Sequence, residues 1–103
     1  MYRIALPLTF LLAACGAQPA PEFYGAKRTD IRHAGRDYVV YQKGNRAEII
    51  RMGFLRPGRH RATREAMTTL LEQVTGCPIN AATLQGDSGE MRTTLRCPAD
   101  PTD

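Results

Sequence analysis

The sequence predicts a small α+β fold, an antiparallel sheet of about five strands with one helix packed on one face, in chain order β-β-β-α-β-β. Three observations carry this. Alternating segments rich in β-branched and aromatic residues lie on both sides of a single stretch of helical periodicity. Gly-containing turns separate those segments at hairpin spacing. One amphipathic helix is then the economical cover for the sheet's apolar face.

The elements follow in order. Thr29, Ile31 and His33 alternate with Asp30 and Arg32, a first strand, and Gly35-Arg36 reads as the turn after it. Tyr38-Val39-Val40-Tyr41 is a strong second strand, because branched and aromatic side chains pack well on a pleated surface. Gly44-Asn45 suits a two-residue hairpin turn. Ala47 to Phe54 reads as the third strand, with Ile50, Met52 and Phe54 on one face and Ile49 and Arg51 on the other. Arg56-Pro57-Gly58 breaks the pattern.

Thr63 to Val74 reads as the helix, with Ala66, Met67, Leu70, Leu71 and Val74 forming a core-facing stripe. Thr63 is read as its N-cap and Gly76 as its left-handed terminator. Ala82 and Leu84 alternate with Thr83 and Gln85 in a fourth strand, Gly86-Asp87-Ser88-Gly89 turns, and Met91, Thr93, Leu95 and Cys97 form the inner face of a fifth.

Composition narrows the function. The chain has 103 residues, room for one small domain and too short for a multi-domain enzyme. Basic residues number 14 against 10 acidic, a formal charge of +4, and twelve of the fourteen are Arg.

The N-terminus is the most informative stretch. Met1-Tyr2-Arg3 is a basic start, and Ile4 to Ala14 is apolar apart from Thr9. Eleven helical residues span about 16 Å against a hydrocarbon core of about 30 Å, so the segment fits a signal sequence rather than a membrane span. It ends Leu12-Ala13-Ala14-Cys15-Gly16. This resembles the lipobox of bacterial lipoprotein precursors. The resemblance implies removal of residues 1–14, lipid (including palmitate-type acyl chains) on Cys15, and a membrane anchor. Two or more acyl chains hold a protein stably where one binds marginally. With Gly16 rather than Asp after the Cys, it also implies the periplasmic face of the outer membrane. Residues 15–23, rich in Pro and small residues, read as a lipidated tether, 24–98 as the domain, and 99–103 as a flexible tail.

With Cys15 assigned to lipid, Cys77 and Cys97 remain. Export favours a disulfide between them, tying the helix exit to the last strand, and a small core benefits from such a staple. Two free thiols are the alternative, and a metal site would need more ligands than two Cys and two scattered His provide. The Thr75-Gly76-Cys77 exit, Gly86-Asp87 and the strand-final Cys97 also resemble small uncharacterised lipoproteins of Gram-negative bacteria, a resemblance that brings no activity with it.

Gly86-Asp87-Ser88-Gly89 is similar to the nucleophile loop of trypsin-like serine proteases, but Glu90 departs from that pattern and the domain is far too small for the double barrel. It reads as a turn of turn-forming residues. His33 and His60 read as surface histidines. The remaining feature is a basic run, Arg51, Arg56, Arg59, His60, Arg61 and Arg64, whose guanidinium forks suit phosphate and carboxylate. The expectation is therefore a lipid-anchored, non-enzymatic envelope module without cofactor, metal or nucleic acid, touching an envelope protein or anionic lipid. The alternative is a small domain recognising an anionic partner through Arg56, Arg59, His60, Arg61 and Arg64.

Overall fold

The computed structural model describes residues 18–98. The expected signal segment at 1–14, Cys15 and the expected tail at 99–103 lie outside them. The expected α+β class is what forms. Five antiparallel strands, β1 (Lys27–His33), β2 (Arg36–Lys43), β3 (Arg46–Arg51), β4 (Gln85–Gly86) and β5 (Glu90–Thr94), accompany one helix, α1 (His60–Thr75). The spatial order is β1-β2-β3-β5-β4. The helix carries the chain across the sheet, and β5, not β4, lands beside β3.

Alternation decides the faces. Tyr38 and Val40 of β2, Ala47 and Ile49 of β3, and Met91 of β5 point one way, as does Leu95 just beyond β5. They meet Met67, Leu70 and Leu71 of α1 in the main core. Helical spacing puts those three residues on one stripe, as the periodicity implies. Gly76 ends the helix in the left-handed conformation, φ +74°, and the Cys77–Cys97 disulfide follows, with Cα atoms 4.6 Å apart.

The opposite face is also covered, which the sequence reading did not anticipate. Ala20 and a short 3-10 turn, Pro21–Phe23, fold back over it. Phe23 is 1% exposed and packs on Val39 and Tyr41, with Ile50 and Met52 beside them. The domain therefore starts before the expected boundary at 24, and the end of the expected tether, Ala20 to Phe23, belongs to the core. Polar contacts fix this segment. The Ala20 amide donates to Glu48 Oε1 at 3.0 Å, Arg46 forks onto both Glu22 carboxylate oxygens at 3.1 Å, and Lys43 donates to the Tyr24 carbonyl at 2.9 Å.

Four local expectations need correction. The β1–β2 turn is Ala34-Gly35, one residue earlier than read, with φ of +51° and +76°, the pattern of a type I′ hairpin. β3 stops at Arg51, because Arg51 turns its guanidinium onto the Ser88 and Gly53 carbonyls and the chain leaves the sheet. Phe54 is consequently 82% exposed while Leu55 tucks in at 6%. The helix starts at His60 rather than Thr63: Arg59 occupies the cap position without a side-chain cap bond, and Thr63 is buried one turn inside. Of the expected fourth strand over 82–85 only Gln85 pairs, in β4, and Ala81–Thr83 is instead a 3-10 turn. It is closed by Asn80, whose side chain accepts from the Ala82 amide, an Asx-type bond that competes with strand pairing.

Candidate functional site

The helix N-terminus, the β1–β2 hairpin tip and the loop after β3 converge. Between them lies an open groove of about 560 Å³. Its walls carry His33 and Arg36 from the hairpin, Arg56 and Arg59 from the loop, and the rings of Tyr38 and Phe54, with no carboxylate among the lining residues. Ala62 and Ala66 of α1 form its helical side, small enough to leave the space open.

The basic run is thus divided. Arg56 and Arg59 face this groove. Arg61 and Arg64 line a second, smaller depression of about 270 Å³ with Glu65, Leu84 and Met91. His60 belongs to neither: its Nδ1 lies 2.5 Å from Ser88 Oγ. Arg51 is consumed by backbone carbonyls. The contiguous run does not make one surface, since helical residues only one or two apart point in different directions. His33 and Arg36, which complete the groove, carry no local sequence signal for it. They arrive through the hairpin tip folding beside the helix start.

The Ser88–His60 contact clips the loop before β5 to the start of α1; Ser88 is 5% exposed, and among the described residues His60 has no carboxylate partner to orient it. The loop that holds Ser88 is a tight turn, as its composition implies: Asp87 Oδ1 accepts from the Gly89 amide at 2.8 Å, and the Asp87 amide donates to the Glu90 carbonyl at 2.8 Å. The Gly89 N–H first, and then the Glu90 N–H, hold the Asp87 carboxyl below its ordinary range. Gly86 has φ +106°, and any Cβ there would collide with the Glu90 carbonyl.

A second polar cluster lies under the N-terminal segment. Glu48 is 2% exposed. Burial, and then its hydrogen bond with the neighbouring Glu90 carboxyl, push its pKa up to about 8, against the opposing pull of the Ala20 amide. Glu90 Oε2 in turn sits 2.9 Å from Arg92 Nε, an ion pair lying off the hydrogen-bond direction. At the rim, the Arg46 fork lowers the Glu22 carboxyl. Sequence alone shows Glu48 only as a charged residue in a strand. Its burial follows from Phe23 and Ala20 covering the second face.

Among the described residues no group of three His, Cys, Asp or Glu could hold a metal ion, and no helix is long and apolar enough to cross a membrane. No family model, curated protein or solved structure matches the chain.

Proposed function

We propose that the chain is a lipid-anchored envelope lipoprotein facing the periplasm, whose α+β domain is a non-enzymatic interaction module. The observation that carries this reading is Leu12-Ala13-Ala14-Cys15, placed at the end of an eleven-residue apolar segment. Two features of the domain are consistent with it. The Cys77–Cys97 disulfide suits an oxidising compartment. Ala20 is already fastened to Glu48, so only residues 15–19 remain between the acylated Cys and the folded face. At about 3.3–3.6 Å per residue those five reach at most about 18 Å, holding the domain close to the membrane.

Expression of the full chain in a Gram-negative host with a radiolabelled fatty acid tests it. Label should enter the wild type and not Cys15→Ser, which should accumulate as the slower-migrating precursor. Unmodified Cys15 in the wild type, or cleavage at another bond, overturns the reading.

A second reading, an anion-binding domain, has its own support. Arg28, Arg32, Arg46 and Arg92 sit on carboxylates, and Arg51 and Arg96 on carbonyl or amide oxygens. Arg36, Arg56 and Arg59 have no such partner among the described residues. The full chain in detergent, titrated with inorganic phosphate while groove amides are followed by NMR, tests this reading. Absence of any shift at the groove refutes it.

A further inference from the structure

We infer that the groove between the β1–β2 tip and the start of α1 is a binding site for a soluble phosphate ester carried on an aromatic or similarly flat apolar body. The inference rests on the anion-binding reading above, and only its choice of a soluble source over a lipid headgroup also uses the anchor at Cys15.

Four features of the groove combine. It is lined by four basic side chains, His33, Arg36, Arg56 and Arg59, and by no acidic one. Among the described residues none of the four is engaged in an ion pair or a side-chain hydrogen bond, whereas the arginines elsewhere on the sheet have found oxygen partners. Guanidinium forks favour the tetrahedral oxygens of phosphate, which several of them can share. The helix beside the groove has neither a side-chain cap nor an acidic residue in its first turn, so its positive end adds to the field.

Two further features concern the body of the ligand and its source. Phe54, 82% exposed, lines the groove together with these arginines and the buried Tyr38. A bare anion has no use for that ring, whereas an aromatic ester lays its apolar face on it. The groove volume of about 560 Å³ falls in the range of roughly 300–1,000 Å³ typical of small-molecule sites. The site also lies away from the anchor side. The N-terminal segment is fastened at Glu48, opposite Tyr41, and Arg36 is five residues back along β2, about 16 Å at 3.3 Å per residue. The groove therefore opens at the far end of the strands, where a dissolved ligand arrives more readily than a headgroup of the anchoring leaflet.

The test is NMR titration of the full chain in non-ionic detergent with phenyl phosphate, with inorganic phosphate, and with small vesicles containing phosphatidylglycerol. Phenyl phosphate should shift the amides of His33, Arg36, Phe54 and Arg59 and bind at least about tenfold more tightly than inorganic phosphate. Arg36→Ala and Arg59→Ala should each weaken it about tenfold or more, the equivalent of one lost charge-assisted hydrogen bond. Phe54→Ala should bring phenyl phosphate down to the affinity of inorganic phosphate, while Arg28→Ala and Arg32→Ala, outside the groove, should change neither. Equal affinity for the two phosphates overturns the ester assignment but leaves anion binding standing. Shifts with vesicles alone overturn the soluble source in favour of a lipid headgroup. No shift at the groove with any of the three overturns both the assignment and the anion-binding reading beneath it.

Discussion

Glu48→Gln should remove most of the fall in stability with rising pH. In the folded chain Glu48 keeps its proton up to about pH 8, against an ordinary value of 4.5, because burial and the Glu90 carboxyl oppose its charge. The folded state therefore binds more protons than the unfolded state between those limits. The associated stabilisation is fully present below pH 4.5 and is lost as pH rises through about 8. Within that window the wild type should lose stability as pH rises, by a few kcal/mol to order of magnitude between pH 5.5 and 7.5. Gln is the neutral counterpart of the protonated acid. Its carbonyl can accept from the Ala20 amide, so that bond survives, and its NH2 can donate towards the Glu90 carboxyl. The variant should match the wild type near pH 5 and exceed it by 2 kcal/mol or more, to order of magnitude, near pH 8. Urea unfolding at a series of pH values, with the disulfide intact, measures this difference. Parallel stability curves for the two proteins would refute the buried-proton account.

Three further outcomes follow from the packing. Reduction of Cys77–Cys97, which closes a separation of 20 residues, should cost about 3 kcal/mol, or at least about 12 °C in Tm for a domain of this size, read by calorimetry with and without reductant; an unchanged Tm contradicts the staple. Phe23→Ala should destabilise by about 3–5 kcal/mol, and Tyr24→Ala, whose ring is 66% exposed, by less than about 0.5 kcal/mol. Equal effects in urea unfolding would mean that the N-terminal segment is not core. Ala34→Asn should stabilise by about 0.5–1 kcal/mol, since an L-residue with a Cβ is held at φ +51° where Asn is tolerated and Asn-Gly is the preferred type I′ pair; a loss in thermal melts would argue against that turn.

The fold was legible wherever the pattern is local and strong. Tyr38 to Tyr41 is an unbroken branched and aromatic run, Met91, Thr93 and Leu95 alternate with polar residues, and the Met67, Leu70, Leu71 stripe has one period available to it. Tyr38, Val40, Met91, Leu95 and the helix stripe belong to the main core, and Val39 and Tyr41 to the second. What escaped was set by tertiary contact or by competing side-chain bonds. Phe23 sits in a Pro-rich stretch that reads as tether, and only the apolar second face of β2 explains its burial. Phe54 continues the alternation of β3, yet the bonds from Arg51 to Ser88 and Gly53 pull the chain off the sheet before it. Thr63 has the chemistry of a cap, but the apolar interior takes it first. The basic run was visible as residues and invisible as a site, because half of the groove comes from a hairpin some twenty residues upstream.

The two faces of the sheet do different work. The α1 face holds the apolar core and is closed by the disulfide, so it sets stability. The second face is narrower and partly polar, and what covers it is the segment that leads back towards Cys15. Its contacts are a bond from the Ala20 amide to Glu48, a fork from Arg46, a bond from Lys43 to the Tyr24 carbonyl and one buried ring, all on β2 or β3. An exposed ion pair contributes at most about 1 kcal/mol, so Glu22–Arg46, with side chains 41% and 30% exposed, cannot hold the segment by itself. Phe23 supplies most of the attachment through apolar burial, and Glu48 supplies its direction. That division puts the N-terminal segment, which would carry the proposed anchor, on one side of the molecule and leaves the hairpin tip, the loop at Arg56 and the helix start unencumbered on the other. Binding at the groove can then change with Arg36, Phe54 or Arg59 without disturbing how the domain is held, and the separate effects of Phe23→Ala on stability and Arg59→Ala on ligand affinity express that independence.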